Sequence, residues 1–117
     1  MNVAPNSSTV ILVNTDGMGV AEPALRQKLL GIYVRLLCEN KTYPKAICFY
    51  ADGVKLVVEG SPILDSLRQL EQNGVLLLSC VTCLRHYGLE EKVAAGIIGG
   101  MHDIMLAQCQ AQKVITL

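Results

Sequence analysis

The chain has no apolar run long enough to cross a membrane, no excess of charge of either sign, and no internal repeat or low-complexity tract. Each absence excludes a class of protein. The longest apolar stretches, residues 9–13, 46–50 and 74–78, fall far short of the roughly 18–20 residues that a spanning helix needs. The 51% apolar content therefore belongs in a core. Ten basic residues balance ten acidic ones, with no basic stripe to meet a phosphate backbone, which argues against direct nucleic-acid binding. The first eight residues lack the basic start and apolar stretch of a secretory leader, so a cytoplasmic location is expected. In a reducing compartment the five cysteines, an odd number, read as free thiols rather than as a disulfide framework. Low net charge on an apolar chain also favours self-association. At 117 residues the chain suits one core and not two, so residues 1–117 read as a single domain with a flexible segment over residues 1–8.

What is present is a pattern of short apolar strands separated by helical periodicities. Residues 9–15 (TVILVNT) form a β-branched run that stops at Asp16-Gly17, the uninterrupted kind found in sheets covered on both faces. Residues 22–39 place Leu25, Leu29, Ile32 and Leu36 on one helical stripe and Leu30, Val34 and Leu37 on a second beside it. One stripe suffices to cover a sheet, so the other is expected to meet a partner subunit or, in the alternative, a loop that folds over it. Residues 46–51 read as a second strand stopped by Asp52-Gly53, while residues 54–58 fit either a strand or a helical turn. Ser61 reads as the N-cap of a helix with Pro62 in its first position, Ile63, Leu64, Leu67 and Leu70 on one face, and Asn73-Gly74 as its stop. A third strand is expected at 75–79, a short one at 92–95, a helix at 100–108 with Met101, Ile104 and Met105 inward, and a last strand at 113–117. The alternation predicts a mostly parallel sheet in a three-layer α/β/α fold, which binds ligands at the carboxyl ends of its strands. Asp16, Asp52 and Cys80 fall at such ends.

The chemistry centres on Cys80-Val81-Thr82-Cys83, where the chain leaves its third strand. A thiol among the unpaired N–H groups of a helix start loses its proton more readily, and the thiolate is the nucleophile. The strand-end position favours exposure, and Arg85 offers a positive charge nearby. His86 and Tyr87 are candidates to line the same pocket. Cys38, Cys48 and Cys109, in apolar settings, read as small buried hydrophobes, and His102 as a solvated helix residue. Two rivals fit less well. A thioredoxin-type redox centre places its cysteine pair after the first strand of its core unit rather than the third. Zinc on Cys80, Cys83 and His86 would need a fourth ligand folded back from His102 or Cys109. The Asp16-Gly17-Met18-Gly19 turn lacks the third glycine of a dinucleotide loop, and Glu22 would oppose a pyrophosphate there. No metal or cofactor is therefore expected. Asp16 and Asp52 read as caps of helix and turn more readily than as a catalytic carboxylate pair.

Several blocks carry a resemblance: residues 11–19 (ILVNTDGMG), 53–61 (GVKLVVEGS), 79–84 (SCVTCL), 87–89 (YGL) and 113–115 (KVI). Through them the chain resembles the DsrE/DsrF-like family, especially the DsrE-like half of YedF-type selenium-metabolism proteins. The resemblance implies a three-layer fold, trimers or hexamers, and a sulfur-relay role in which one cysteine accepts persulfide sulfur and passes it on. Family members of the TusD type hold that cysteine eight residues before a glycine, as Cys80 stands to Gly88. The resemblance thus makes Cys80 the acceptor and Cys83 an accessory or resolving thiol, and it suggests a TusA-like carrier on another polypeptide as partner. Many relatives have arginine before that glycine, where this chain has Tyr87. The other reading of the same residues is a non-catalytic oligomeric binding module whose cysteines are structural.

Overall fold

A computed structural model describes residues 7–117. Most of the expected flexible segment lies outside the described residues; Ser7 and Ser8, however, belong to strand β1 (Ser7–Val13), where Ser8 accepts a hydrogen bond from the Gln112 amide through its carbonyl at 2.9 Å and its hydroxyl at 3.0 Å. Helix α1 (Pro23–Glu39), strand β2 (Pro44–Phe49), helix α2 (Leu64–Gln72), strand β3 (Leu76–Cys80), helix α3 (Val81–His86), strand β4 (Ile97–Gly99), helix α4 (Met101–Gln110) and strand β5 (Lys113–Thr116) follow. The five strands are ordered β4-β3-β2-β1-β5 and all pair in parallel.

This order fixes where the helices lie. From β1 to β4 the chain steps always in one direction, and it then returns across the sheet to β5. With right-handed crossovers, the first three connections cover one face and α4 covers the other. Side-chain neighbours agree: Ile11, Val13, Ile47 and Phe49 surround a small cavity with Leu30 and Val34 of α1 and Leu67 of α2. Val10, Ala46 and Leu78, one residue out of phase, line a cavity with Leu106 and Ala107 of α4. Alternate strand residues thus feed two half-cores, as the period of two demands.

Several expectations need correcting. Ser61 does not cap α2: its hydroxyl accepts from the Ile63 amide at 3.4 Å, closing a turn of its own around Pro62, and the helix starts at Leu64. The second strand ends at Phe49, and a 3₁₀ helix at Ala51–Leu56 takes up Ala51, expected in that strand, the Asp52-Gly53 stop and the first part of residues 54–58, which fitted either a strand or a helical turn. Val58 then bridges antiparallel to Val93. No strand forms at 92–95, because the amides of Ala94 and Ala95 both donate to the Val57 carbonyl, at 2.7 and 3.2 Å. The strand begins beyond Gly96, whose φ of +76° and close packing on Leu77 admit no side chain. Of the residues expected inward on α4, only Ile104 is fully buried; Met101 and Met105 are about half exposed. Cys109, expected in the core, is exposed on the same helix. The two stripes of α1 separate as expected into a buried one, with Leu30, Val34 and Leu37, and an open one, with Leu25, Leu29 and Leu36.

Candidate functional site

At the carboxyl end of the sheet the Val13, Phe49 and Ser79 positions stand in register, so the loops that follow β1, β2 and β3 emerge side by side. The first two are tied together. The Tyr50 amide donates to the Val13 carbonyl at 3.1 Å, and Asn14 Nδ2 donates to the Tyr50 hydroxyl at 3.3 Å. Gly53 then packs directly on the Val13 carbonyl, where a Cβ would collide with the oxygen. In the same turn Ala51 lies in the left-handed region, φ +51°, a conformation that costs a non-glycine residue about 1–3 kcal/mol. The strain accompanies a contact with the cysteine pair, since the Ala51 N–H donates to Cys83 Sγ at 3.1 Å.

Cys80 ends β3 and stands at the N-cap of α3 with extended backbone angles, φ −70° and ψ 118°. The chain turns there, and one helical turn later Cys83 brings its thiol back against that of Cys80. The strand-end position does not expose Cys80, contrary to expectation: it is wholly buried, because α3 and the 3₁₀ turn fold over it. Cys83 is only partly covered. Burial pushes the Cys83 thiol above its ordinary range, the Ala51 N–H works in the opposite direction, and the neighbouring Cys80 thiol raises it further. A ready thiolate at a helix start is thus not what these surroundings favour. Ser79, just before Cys80, is buried with its hydroxyl unpartnered among the described residues, a desolvation cost of about 1–3 kcal/mol.

A charged cluster borders Cys83. The Tyr87 hydroxyl donates to Asp52 Oδ1, which also pairs with Lys55 Nζ at 3.2 Å, and that ammonium lies 4.5 Å from the centroid of the Tyr87 ring, a cation–π contact. The Tyr87 hydrogen bond, followed by that from Lys55, holds the Asp52 carboxyl below its usual range. The same bonds raise Lys55 and Tyr87, and the Cys83 charge contributes to the rise at Tyr87. His86 sets its ring edge-on to Tyr87, with centroids 5.2 Å apart.

Other candidates fall outside this cluster. Arg85 turns to Glu90, donating to both carboxylate oxygens at 2.8 and 3.3 Å, so its positive charge is engaged away from the cysteines. Asp16 pairs with Arg26 at 3.3 Å. Neither Asp16 nor Asp52 supplies a side-chain cap to the helix that follows it; their closest cations are Arg26 and Lys55 respectively. Lys55 and Ala51 join the site without having stood among the sequence candidates. Lys55 stands three residues after Asp52, the spacing at which helical side chains meet; nothing local marks Ala51 as left-handed. Among the described residues no three His, Cys, Asp or Glu side chains converge to hold a metal ion.

The DsrE/DsrF-like family profile matches residues 21–117. The chain belongs to the DsrE/DsrF-like family. Solved structures share its fold: MTH1491 from Methanobacterium thermoautotrophicum, described as a protein of unknown function, superposes with a TM-score of 0.68 at 20% identity over 93% of this chain and 97% of that one. The ychN protein from E. coli gives 0.69 at 18% identity over 93% and 98%, and BT1422 from Bacteroides thetaiotaomicron 0.67 at 13% identity over 99% and 100%. No curated protein matches the chain. At these identities the structures establish the three-layer DsrE-like fold alone. Among the described residues no helix is long and apolar enough to cross a membrane.

Within this DsrE/DsrF-like sheet the strand order reverses between β1 and β5, which makes that gap the topological switch point of the fold. Cys80, at the end of β3 and paired with Gly99 of β4, stands apart from it.

Proposed function

We propose that this DsrE/DsrF-like chain carries sulfur as a persulfide on its Cys80–Cys83 pair and hands it to a partner protein, with Cys83 as the sulfur that meets the partner. The observation that carries the reading is the setting of Cys83: partly open to solvent, held by the Ala51 N–H at 3.1 Å, and backed by a buried second thiol. Sequence resemblance assigns the acceptor role to Cys80, but its complete burial leaves Cys83 as the sulfur an incoming donor reaches first. The Cys83 thiolate attacks the outer sulfur of a donor persulfide, the donor's S–S bond breaks, and the donor leaves as a thiolate. Delivery repeats the step with a thiolate of the acceptor, a TusA-like carrier in this reading. Cys80 acts as resolving thiol: attack on the Cys83 sulfur forms a Cys80–Cys83 disulfide and releases the outer sulfur as hydrogen sulfide. Asp52, Lys55, Tyr87 and His86 shape the mouth of the site. A cytoplasmic location goes with this reading.

Intact mass after incubation with a persulfide donor tests this directly. The wild type is expected to gain one sulfur atom reversibly, Cys83→Ser to gain none, and Cys80→Ser to gain it and keep it longer. Loss of the gain in Cys80→Ser alone would return the acceptor role to Cys80. No gain in the fully reduced wild type would favour the non-catalytic binding module.

Self-association belongs to the same proposal. A ring of identical subunits needs two different patches on each, and the chain offers two apolar surfaces. One is the open stripe of α1 with Leu25, Leu29 and Leu36; the other surrounds β4 and α4 with Ile97, Met101 and Met105, all between 39% and 53% exposed. Light scattering is expected to give a mass of three or six chains, and Leu29→Lys or Met105→Lys to lower it. A monomeric wild type would refute the assembly.

A further inference from the structure

A cavity of about 230 Å³ opens beside the cysteine site, between the start of α1 and the loop that precedes α2. Its floor is apolar, formed by the buried Leu30, Leu56 and Ile63, and its rim carries three charges, Asp16, Lys55 and Glu59. The charges are unequally engaged. Asp16 uses one oxygen for Arg26 at 3.3 Å, and among the described residues no hydrogen bond or ion pair engages its other oxygen. Lys55 gives one contact to Asp52 at 3.2 Å, and an ammonium has three protons to donate. Among the described residues Glu59 enters no ion pair. The rim thus presents a donor on one part and acceptors on another, above an apolar floor, in a volume below that of drug-sized sites, which begin at roughly 300 Å³.

We infer that this cavity binds a free α-amino acid with a short aliphatic or thioether side chain, its carboxylate on Lys55, its ammonium on Glu59 and Asp16, and its side chain on the Leu30–Leu56–Ile63 floor. A carboxylate alone would face two anions, and an amine alone would leave Lys55 without an anion from the ligand; a zwitterion answers both. Lys55 belongs to the cavity and to the Asp52–Tyr87 cluster alike. A ligand carboxylate shares the ammonium with Asp52 and the Tyr87 ring, so occupancy alters the surroundings of Cys83. The cavity is thereby a control site for the thiol, and its existence does not rest on persulfide chemistry.

Calorimetric titration of the full chain with L-methionine tests this, since methionine has both charges and no thiol to exchange. Saturable binding in about the millimolar range, the −4 kcal/mol class, is expected, at least tenfold tighter than that of pentanoate or pentylamine. Lys55→Gln and Glu59→Gln, both at exposed positions, are each expected to weaken it about tenfold or more. Methionine is expected to change the alkylation rate of Cys83 in the wild type and not in Lys55→Gln. No saturation at tens of millimolar, or pentylamine binding as tightly as methionine, overturns the inference whatever the variants do; a change in Cys83 labelling that persists in Lys55→Gln overturns the coupling.

Discussion

Replacing Gly53 with alanine is expected to lower the stability of the fold by on the order of 3–5 kcal/mol, out of proportion to one added methyl group. Gly53 is buried, and its backbone lies against the Val13 carbonyl at the end of β1, so the new Cβ would strike the carbonyl oxygen itself. That oxygen cannot swing aside cheaply, because it accepts from the Tyr50 amide at 3.1 Å and belongs to the central strand pair of β1 with β2. Relief comes only by prising the 3₁₀ turn from the strand ends. The same turn presents the Ala51 N–H to Cys83, so the thiol loses the contact that opposes its raised pKa, and its alkylation profile is expected to move to higher pH. Urea unfolding measures the first effect as a lower midpoint at unchanged slope. Gly31→Ala serves as the control: it lies within α1 with nothing close to its Cβ position, and it is expected to stabilise by about 0.5–1 kcal/mol. If Gly53→Ala melts within about 0.5 kcal/mol of the wild type, the size of a neutral surface change, the close approach to Val13 is not a constraint.

The contrast between these glycines shows which parts of the molecule are legible in the sequence. Patterns that act over a few residues are readable: the β-branched run at the start and the double stripe of α1, although the first two strands end at Val13 and Phe49, ahead of the Asp16-Gly17 and Asp52-Gly53 stops. They suffice for the order of elements and for bringing the cysteine pair to a strand end. Failures occur where a residue's fate depends on a distant segment. Ser61 has the chemistry of a cap, but the Ser61–Ile63 turn uses its hydroxyl first. Residues 92–95 have the composition of a strand, yet Val57 claims their amides. Cys80 is buried by a turn about thirty residues earlier in the chain, and Met101 and Met105 have the periodicity of a core face without a layer above them to close it. Lys55 becomes a site residue only when Tyr87 arrives over it. The family resemblance supplies the sheet and the sulfur-relay context, while the split between an inner and an outer thiol emerges only from the packing.

Stability is expected to fall steeply above pH 9, and Cys48 to account for a large part of the fall. The thiol is completely buried in β2, paired across the sheet with Leu12 and Leu78, and burial pushes it from its ordinary 9.0 to about 11. The folded chain therefore keeps this proton over a range in which the unfolded chain has lost it. Stability decreases with pH wherever the folded state binds more protons, so the contribution is complete below about pH 9 and lost on passing through about 11. A rise of that size corresponds to about 3 kcal/mol. Cys38 and Tyr33, also raised by burial, act in the same sense. At the acid end, by contrast, the lowered Asp52 lies in an exposed cluster that solvent screens, so the alkaline limit dominates. Thermal melts from pH 7 to pH 11 are expected to show Cys48→Ala slightly less stable at neutrality and markedly flatter above pH 9; an alkaline slope identical to the wild type would remove Cys48 as the cause. For the sulfur transfer proposed above, the consequence is a window with two different edges. Rising pH generates the Cys83 thiolate that transfer requires, while the same rise deprotonates the thiol that the core must keep neutral. Labelling of Cys83 is accordingly expected to climb with pH alone at first, and the pH at which Cys48 begins to label with it marks where the sheet opens.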